Sequence, residues 1–421
     1  MPPLRANPAF DVAVVGAGAA GQLAAIAAAE HARTVLLLEQ MDRPGLKIRA
    51  SGGGRCNLTN LADPRAYADA FGRHGRFTAP ALHAMGPDDL RRFFERLGLP
   101  TIVCDDRQVY PATQRAADVQ AALDRHLRRL GVTVRLGCPV VRLWTEAGRL
   151  KGVETDDAPP AAASRVVLAC GGKSWPTLGG TGGGYALARQ VGHSLVEPVP
   201  ALVPLVTREP WTRRLAGVSL SGARVRIALP RQSRAGVVGD LLFTHRGLSG
   251  PAVLDLSGTV SELLRGHETV PLRVELVPGT GADQWRRRIE DWRTAHARRR
   301  VVNLLHRYLP AALGREICRQ AGIDDPTTAA QLPAARRDDL VRRLAALEFA
   351  VTNTEGFEKA FVTRGGVSLR EVDPDTLESR GMPGLHLAGE MLDLDGPSGG
   401  FNLQWAFASG HLAGLAVADT L

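Results

Sequence analysis

The N-terminal part of the chain alternates short apolar runs with one glycine-rich turn. Asp11–Val15 and Thr34–Leu38 are apolar runs, and the alanine-rich segment Ala19–Ala29 between them has helical character. Short apolar runs without alternating polar positions are typical of strands buried on both faces of a parallel sheet. The pattern therefore predicts a strand, a crossover helix and a second parallel strand.

A similar pattern continues through the first part of the chain. Apolar positions spaced three and four apart predict helices over 87–98 and 114–130. Short strands are expected within 132–153, and the apolar run 165–170 predicts another buried strand. This part of the chain therefore has the pattern of an α/β domain.

The middle of the chain differs from both ends. Proline-rich loops and alternating apolar positions predict a β-rich segment, and a helical segment follows with 14 arginines against nine acidic residues over 281–348. The α/β pattern then returns, with a short strand at 384–388 and a helix of small residues at 401–416. We therefore predict one α/β domain interrupted by two inserts. The predicted boundaries are 1–193 and 350–421 for the α/β domain, 194–280 for the β-rich insert and 281–349 for the basic helical insert.

The glycine-rich turn has the sequence Gly-Ala-Gly-Ala-Ala-Gly and begins at Gly16. In a β-α-β unit, Gly16 permits the tight turn, Gly18 lets the backbone approach a diphosphate, and Gly21 lets helix and sheet pack closely. The N–H groups and the dipole at the start of the helix stabilise the phosphate charge. Glu39 ends the second strand, where it can accept hydrogen bonds from both ribose hydroxyls and would repel a 2′-phosphate. The turn favours FAD or NAD over NADP; a glycine-rich turn without a ligand is the alternative.

The segment Ser51–Asn60 favours FAD over NAD. Its three consecutive glycines let the backbone come close to a flat ring, and polar side chains follow at Arg55, Asn57 and Thr59. Arg55 is suited to the diphosphate or to the electron-rich N1–O2 edge of a flavin. The alternative is a solvated loop with a helix cap at Thr59 or Asn60.

A second segment near the C-terminus points to the same cofactor. Gly389 and Glu390 follow a predicted strand, where the carboxylate can bind the ribityl hydroxyls. Gly399–Asn402 opens the last predicted helix, whose N–H groups would stabilise negative charge at N1–O2 of a reduced flavin. An ordinary glycine-rich helix start is the alternative.

The candidate cofactor-binding residues lie in or beside these turns and strand ends, and we predict FAD as the cofactor and no metal. They are Gly16, Gly18, Ala19, Ala20, Gly21, Glu39, Gln40, Lys47, Gly53, Gly54, Arg55, Cys56, Asn57, Thr59, Val140, Gly171, Gly389, Glu390, Gly399, Gly400, Phe401 and Asn402. The second glycine run, Gly179–Gly184, has no strand directly before it, so we interpret it as a loop and helix start within the same domain. No separate domain for NAD(P)H is evident.

With these motifs in place, the chain resembles the BaiN/RdsA family of NAD(P)/FAD-dependent oxidoreductases. The matching stretches begin at Gly16, Ser51, Val109, Ala169, Pro200, Phe243, Val362 and Gly384. The resemblance implies a Rossmann-type, glutathione-reductase-like FAD domain in which residues of about 194–349 form an insert, part β-barrel and part helical. It also implies NAD(P)H-driven reduction of a carbon–carbon double bond conjugated to a carbonyl, since family members have been assigned to unsaturated steroid ketones and to uridine in ribosomal RNA.

Such a reduction needs a proton donor with reach and a suitable pKa. His245 is the first candidate, because histidine titrates near neutrality and its loop lies in the insert that would cap the flavin. Tyr110 and Cys56 are the other catalytic candidates, and Asp393 and Asp395 are further acids. The structural alternatives are a histidine bonded to backbone, a core aromatic ring, a small buried thiol, and carboxylates that shape a loop.

Charge and cysteine usage leave two other functions open. The formal net charge is +9, which favours anionic partners, so an RNA-modifying flavoenzyme that reduces uridine is the second hypothesis. A flavin-binding regulator without turnover is the third. The five scattered cysteines and the absence of a recognisable signal peptide or membrane span favour the cytoplasm. In the RNA hypothesis the phosphate contacts are Arg286, Arg287, Arg288, Arg298, Arg299 and Arg300, and Trp285 or Trp292 stacks on a base.

Overall fold

The computed structural model describes residues 10–104, 107–156 and 159–419. The chain divides into two compact units: Met1–Val199 with Phe361–Leu421, and Pro200–Ala360. The first unit therefore combines segments from both ends of the sequence. Within the described ranges, no helix is long and apolar enough to cross a membrane.

The first unit is an α/β domain with one large sheet and two small ones. Its elements are β1 (Phe10–Val15), α1 (Ala19–Glu30), β2 (Val35–Leu38), α2 (Leu46–Ala50), β3 (Thr59–Asn60), α3 (Pro64–Ala70), α4 (Gly75–Ala84), α5 (Pro87–Arg96), β4 (Thr101–Val103), β5 (Gln108–Pro111), α6 (Ala116–Arg129), β6 (Thr133–Arg135), β7 (Val140–Glu146), β8 (Arg149–Thr155), β9 (Ala161–Leu168), α7 (Gly183–Gln190), β10 (Leu195–Ala201), β17 (Val362–Val367), β18 (Leu385–Leu387) and α13 (Phe401–Asp419). The predicted β-α-β unit and the two predicted helices α5 and α6 are confirmed.

The large sheet has seven strands in the order β6-β2-β1-β9-β8-β7, and β18 also pairs with β9. The central strand β1 lies parallel to β2 and to β9, with Val14 opposite Leu37 on one side and Val167 on the other. All three of these side chains are fully buried, which explains the apolar runs of the sequence. β18, which comes from the C-terminal part of the chain, extends the parallel part of the sheet.

Helices from the two ends of the chain pack against each other at glycine positions. A Cβ atom at Gly410 of α13 would lie 2.1 Å from the carbonyl oxygen of Ala20 in α1, and one at Gly414 would lie 2.5 Å from that of Ala24. The absence of these two Cβ atoms allows the helix backbones to approach closely. The small residues of both helices are therefore a packing requirement, and they fix the C-terminal segment to the glycine-rich turn.

The second unit contains a closed six-stranded barrel, in the order β11-β14-β13-β12-β15-β16. Its elements are β11 (Leu205–Thr207), β12 (Ser219–Ile227), β13 (Val237–Phe243), β14 (Gly247–Ser249), α8 (Pro251–Leu263), β15 (Val270–Glu275), α9 (Ala282–Ala295), α10 (Val301–Leu305), α11 (Ala311–Gln320), α12 (Ala334–Ala345) and β16 (Leu347–Thr354). Barrel residues such as Leu272 and helical residues such as Leu313 belong to one hydrophobic core.

One expectation for the basic helices is wrong. Trp285 is fully buried and Trp292 is 5% exposed, so neither indole ring is available to stack on a base. Both rings lie on the inner face of α9 and contact the ring of Tyr308, with centroids 5.4 and 6.3 Å away. The two tryptophans belong to the core of the second unit.

A buried histidine in β18 gives the fold a pH dependence. His386 is fully buried between Leu385 and Leu387, and neither ring nitrogen has a hydrogen-bond partner among the described residues. Burial lowers the pKa of His386 to about 4, while Glu378 raises it and Arg165 lowers it further. The histidine therefore stays neutral in the folded protein, whereas in the unfolded chain its pKa is about 6.5.

We expect the free energy of unfolding to fall as the pH drops from about 6.5 towards 4, because the unfolded chain then binds a proton that folded His386 does not. The loss due to this residue is about 2 kcal/mol at pH 5. A His386→Leu variant should lack this part of the pH dependence in urea titrations at pH 7 and pH 5, whereas the exposed control His83→Gln should keep it. An equal loss in the wild type and in His386→Leu would contradict the assignment.

Candidate active site

The glycine-rich turn after β1 has the geometry that a bound diphosphate requires. Gly16 has φ of +99°, and a Cβ there would lie 2.5 Å from the carbonyl oxygen of Ala169. A Cβ at Gly21 would lie 1.7 Å from the Gly16 oxygen, which explains why the helix needs glycine in its first turn. At Gly18, directly before α1, no atom of the described residues lies within 4 Å of the Cβ position. The start of α1 therefore presents bare backbone to a ligand.

Glu39 lies directly after β2 and is held at the same end of the sheet. Its Oε2 accepts a hydrogen bond of 2.7 Å from the Ala17 N–H, and its Oε1 accepts one of 2.9 Å from the Met41 N–H. The Cys138 N–H donates to the Glu39 carbonyl oxygen at 2.8 Å, which places the start of β7 at Val140 close by. Glu39 and Val140 thus lie beside the glycine-rich turn, as a ribose and adenine site requires.

The second glycine run lies next to this site. The Gln40 side chain donates to the Gly179 carbonyl oxygen at 2.8 Å, and α7 begins at Gly183. The interpretation of this run as a loop and helix start within the same domain is confirmed. Gln40 and the start of α7 therefore border the ribose end of the site.

The two glycine-rich segments from opposite ends of the chain meet. The Asn60 side chain donates to the Gly399 carbonyl oxygen at 3.1 Å. Gly400 has φ of +101°, and a Cβ there would lie 2.6 Å from the backbone carbon and oxygen of Thr59 and 2.8 Å from the side-chain amide of Asn57. Only glycine permits this approach, so the start of α13 lies directly against the segment that follows Arg55.

Neighbouring side chains hold the start of α13 in place. The Asn402 amide accepts a hydrogen bond from the Gly396 N–H and donates to the Gly396 and Pro397 carbonyl oxygens, with lengths of 2.8, 2.8 and 3.1 Å. The Phe401 ring lies 4.9 Å from the Tyr67 ring. Because the Asn402 side chain is used within the loop, a contact of this residue with the cofactor would come from its backbone N–H.

An ion pair with two further partners lies at the end of β18. Lys47 Nζ lies 2.6 Å from Glu390 Oε2 and donates to Ser174 Oγ at 2.7 Å. Glu390 Oε1 accepts hydrogen bonds from Ser174 Oγ at 2.6 Å and from the Thr363 N–H at 2.8 Å. Burial alone would raise the pKa of Glu390, but Lys47, Ser174 and Thr363 together hold it below its usual value. Glu390 is therefore an ionised acceptor at neutral pH.

The sequence patterns identified Lys47 and Glu390 but not Ser174 and Thr363. Ser174 lies three residues after Gly171, in the loop that follows β9, which is a weak signal in the sequence. Thr363 carries no local signal, because its role comes from its backbone N–H in β17. These two residues complete the hydrogen bonds that fix Glu390.

Two of the three catalytic candidates lie in the first unit. The Tyr110 hydroxyl donates to Gln108 Oε1 at 2.8 Å, the Arg55 guanidinium lies 4.9 Å from its ring centroid, and burial raises its pKa. Cys56 is fully buried with φ of +63°, and burial raises the pKa of its thiol to about 12. The Cys56 thiol therefore stays protonated at neutral pH and is not a thiolate nucleophile.

The third catalytic candidate lies in the second unit. His245 is exposed and occupies the turn between β13 and β14, where the Thr244 N–H donates to the Gly247 carbonyl oxygen at 2.9 Å. The side-chain hydroxyl of Thr244 also accepts from the Gly247 N–H at 3.0 Å. The turn is thus held without the imidazole ring, and a role of His245 in proton donation stays a prediction.

The two aspartates between β18 and α13 have different surroundings. Asp395 forms a bidentate salt bridge with Arg364, with N···O distances of 2.9 and 3.0 Å. Asp393 is buried, which raises its pKa, and its Oδ2 lies 3.8 Å from His74 Nε2. Asp395 therefore stabilises the loop through its ion pair. Burial of Asp393 favours its protonated form, so this residue is a candidate proton donor.

The residues that the structure brings together fit a flavin dinucleotide. Besides Gly18, the Cβ positions at Gly53, Gly54 and Gly171 have no atom of the described residues within 4 Å. Both ends of the site have backbone that no side chain covers. Glu39 lies at the ribose end and Glu390 at the opposite end, and this arrangement matches the chemistry of FAD. Lys47, Glu39, Glu390 and the starts of α1 and α13 would hold the group.

Comparison with known proteins agrees with this fit. Residues 10–416 match the family described as HI0933-like protein Rossmann domain. The chain is 38% identical over 412 residues to the 3-dehydro-bile acid Δ(4,6)-reductase of Clostridium scindens, covering 97% of this chain and 99% of that protein. It is 32% identical over 409 residues to the ribosomal RNA dihydrouridine synthase of Escherichia coli, covering 95% and 96%.

The solved structures support the fold. The 3-ketosteroid Δ1-dehydrogenase of Sterolibacterium denitrificans, in complex with 1,4-androstadiene-3,17-dione, aligns over 99% of this chain and 100% of its own, with a TM-score of 0.57 at 14% identity. At this identity the similarity concerns the fold alone. Together with the site geometry, the match over nearly the whole length establishes that the chain belongs to the HI0933-like family of flavoproteins and is an FAD-dependent oxidoreductase.

Proposed function

We propose that the protein uses NAD(P)H to reduce a carbon–carbon double bond that is conjugated to a carbonyl group in a small molecule. The observation that carries this proposal is the similarity over the full length to a bile acid Δ(4,6)-reductase, at 38% identity. Glu39, Glu390 and the glycine-rich turns at Gly16 and Gly399 all lie within the range 10–416 that matches the family. The acceptor is therefore expected to be an apolar ring or chain that carries an enone.

The residues of this chain hold the cofactor and support the charge that reduction creates. Bound flavin supplies hydride transfer, which is the chemistry of the cofactor itself. The start of α1 would offer backbone N–H groups to the diphosphate, Glu39 would accept from the ribose, and Glu390 would accept from the ribityl chain. The start of α13, next to Gly400, would offer its N–H groups and positive dipole end to the flavin N1–O2 edge, where reduction places negative charge.

The proton needed at the carbon next to the carbonyl has several candidate donors. Asp393 and Tyr110 lie in the first unit, and in both side chains burial favours the protonated form. His245 is the candidate from the second unit. Replacing each in turn, with measurement of the pH dependence of kcat, separates a donor from a structural residue.

Purified protein should oxidise NADH or NADPH only when an α,β-unsaturated ketone is present, and mass spectrometry should show a product heavier by two hydrogens. A steroid 4-en-3-one serves as the test acceptor, and the saturated ketone and an isolated alkene serve as controls. Equal NAD(P)H oxidation with and without the enone, and an unchanged acceptor mass, would refute the proposal.

A second candidate function is the reduction of uridine in ribosomal RNA. It is favoured by the 32% identity to the dihydrouridine synthase and by a set of exposed arginines in the second unit. Arg286 pairs with Asp283, and Arg288 lies over Trp285. Of the six arginines named in the RNA hypothesis, Arg287, Arg298, Arg299 and Arg300 are exposed and form no ion pair with a described residue.

The RNA function has its own test. Ribosomal RNA from a strain that lacks this gene should lack one dihydrouridine, and the wild-type chain should restore it. A variant with Arg298, Arg299 and Arg300 changed to alanine should restore less, since each arginine would contribute a salt-sensitive phosphate contact. An unchanged RNA mass profile after deletion would exclude this function and leave the small-molecule acceptor.

A further inference from the structure

The hydroxyl group of Tyr185 is buried and has no hydrogen-bond partner in the described part of the chain. Tyr185 lies in the first turn of α7, and its residue exposure is 5%. Its hydroxyl oxygen has no hydrogen-bond partner among the described residues. Buried polar groups are nearly always hydrogen-bonded, because an unpaired one loses its contacts with water without compensation. The tyrosine therefore has a free donor inside the first unit.

The surroundings of this hydroxyl identify the site that it belongs to. Burial raises the pKa of Tyr185 above its usual range, and the charges of Glu390 and Asp393 and the Cys170 thiol act in the same direction. The phenol is therefore protonated and acts as a donor. Glu390, the nearby acceptor assigned to the ribityl chain, takes up its protein hydrogen bonds from Lys47, Ser174 and Thr363.

The position of α7 narrows the choice of ligand atom. Just before α7, Gly179 accepts from Gln40, which follows the ribose-binding carboxylate Glu39. The first turn of α7 instead packs at the Glu390 end of the site. A Cβ at Gly184, directly before Tyr185, would lie 2.5 Å from Cys170 Cβ and 3.5 Å from Cε of Met391, the residue after Glu390. The start of α7 thus borders the stretch between the ribose and the flavin ring. In FAD this stretch contains a polyol, whose hydroxyl groups both donate and accept.

We propose that the Tyr185 hydroxyl donates a hydrogen bond to a ribityl oxygen of bound FAD, while Glu390 accepts one from a ribityl hydroxyl. The inference rests on FAD binding and not on the identity of the acceptor. One donor and one acceptor then recognise a part of the cofactor that ADP lacks. Tyr185 is a cofactor-binding residue that none of the glycine-rich motifs contains.

The test compares two ligands in apoprotein prepared from the full chain. Tyr185→Phe should raise the Kd for FAD roughly five- to tenfold, the size of one neutral hydrogen bond. The Kd for ADP should stay unchanged, because ADP lacks the ribityl chain. An FAD analogue whose ribityl hydroxyls are replaced by hydrogens should bind the wild type and Tyr185→Phe equally.

A stability measurement separates this role from a structural one. Without FAD, Tyr185→Phe should raise the thermal midpoint by about 2–4 °C, since it removes an unpaired buried hydroxyl. The matched control Tyr67→Phe should lower the midpoint, because the Tyr67 hydroxyl contacts Thr59 Oγ1 at 3.0 Å and accepts from the Asn60 N–H at 3.2 Å.

Two results would overturn the proposal while leaving FAD binding intact. The first is equal FAD affinity of wild type and Tyr185→Phe; the second is a lower midpoint of the apoprotein variant, as for Tyr67→Phe. Failure of the wild type to bind FAD at all would instead refute the assigned cofactor. The comparison of FAD with the analogue that lacks the ribityl hydroxyls needs only the wild-type protein, so it does not depend on the folding of a variant. If the wild type bound this analogue as tightly as FAD, recognition of the ribityl hydroxyls would be excluded.

Discussion

Gly400→Ala protein is expected to be purified without FAD and to bind added FAD at least about 30-fold more weakly than the wild type. The added Cβ would lie 2.6 Å from backbone atoms of Thr59, which is fully buried and paired with Val109 in a neighbouring strand. Neither backbone has room to move, and φ of +101° adds conformational strain. Overpacking and strain together cost about 2–5 kcal/mol. Titration of the apoprotein with FAD, followed by flavin fluorescence, measures the loss.

Gly98→Ala is the matched control for backbone strain. Gly98 has φ of +78°, and no atom of the described residues lies within 4 Å of its Cβ position. Its replacement should cost about 1–2 kcal/mol of stability through the backbone alone and leave the Kd for FAD unchanged. If Gly400→Ala kept wild-type FAD affinity, the contact between the two ends of the chain would not be part of the cofactor site.

Lys47→Met is expected to give the second largest loss. The variant leaves the Glu390 carboxylate, whose side chain is 20% exposed, without its 2.6 Å ion-pair partner. Removing one partner of a fully buried pair costs about 3–5 kcal/mol, and partial exposure of this pair reduces the cost to about 2 kcal/mol. We therefore expect an FAD Kd raised about 30-fold and a lower thermal midpoint.

The double variant Lys47→Met with Glu390→Gln tests the cause. A neutral amide in place of the carboxylate removes the uncompensated charge, so the double variant should unfold at a higher temperature than Lys47→Met alone. Its FAD affinity should still be below that of the wild type, because the ionised acceptor is lost. Additive effects of the two changes on the thermal midpoint would show that Lys47 and Glu390 are not coupled.

The sequence predicted those parts of the fold that depend on local patterns. The apolar run at Val12–Val15 and the alanine-rich helix after Gly18 identify a buried parallel strand and its crossover helix, because burial on both faces leaves no polar positions. Gly16 and Gly21 were identified for the same local reason. In the structure their Cβ positions are blocked by backbone oxygens, as the turn requires.

Long-range pairings could not be predicted from local patterns. Lys47 and Glu390 are separated by 343 positions, and Thr363 takes part through a backbone group. The two tryptophans of α9 were misassigned for a related reason. An amphipathic basic helix shows which residues are apolar, but whether Trp285 faces a core or a ligand depends on the side chains that pack against it, such as Tyr308.

The most direct test of the central claim, that both ends of the chain form one FAD site, is the flavin content of the purified protein. Denaturation should release one FAD per chain from the wild type, and none from Gly400→Ala prepared in parallel. A folded wild-type protein that is colourless and takes up no added FAD would contradict the claim.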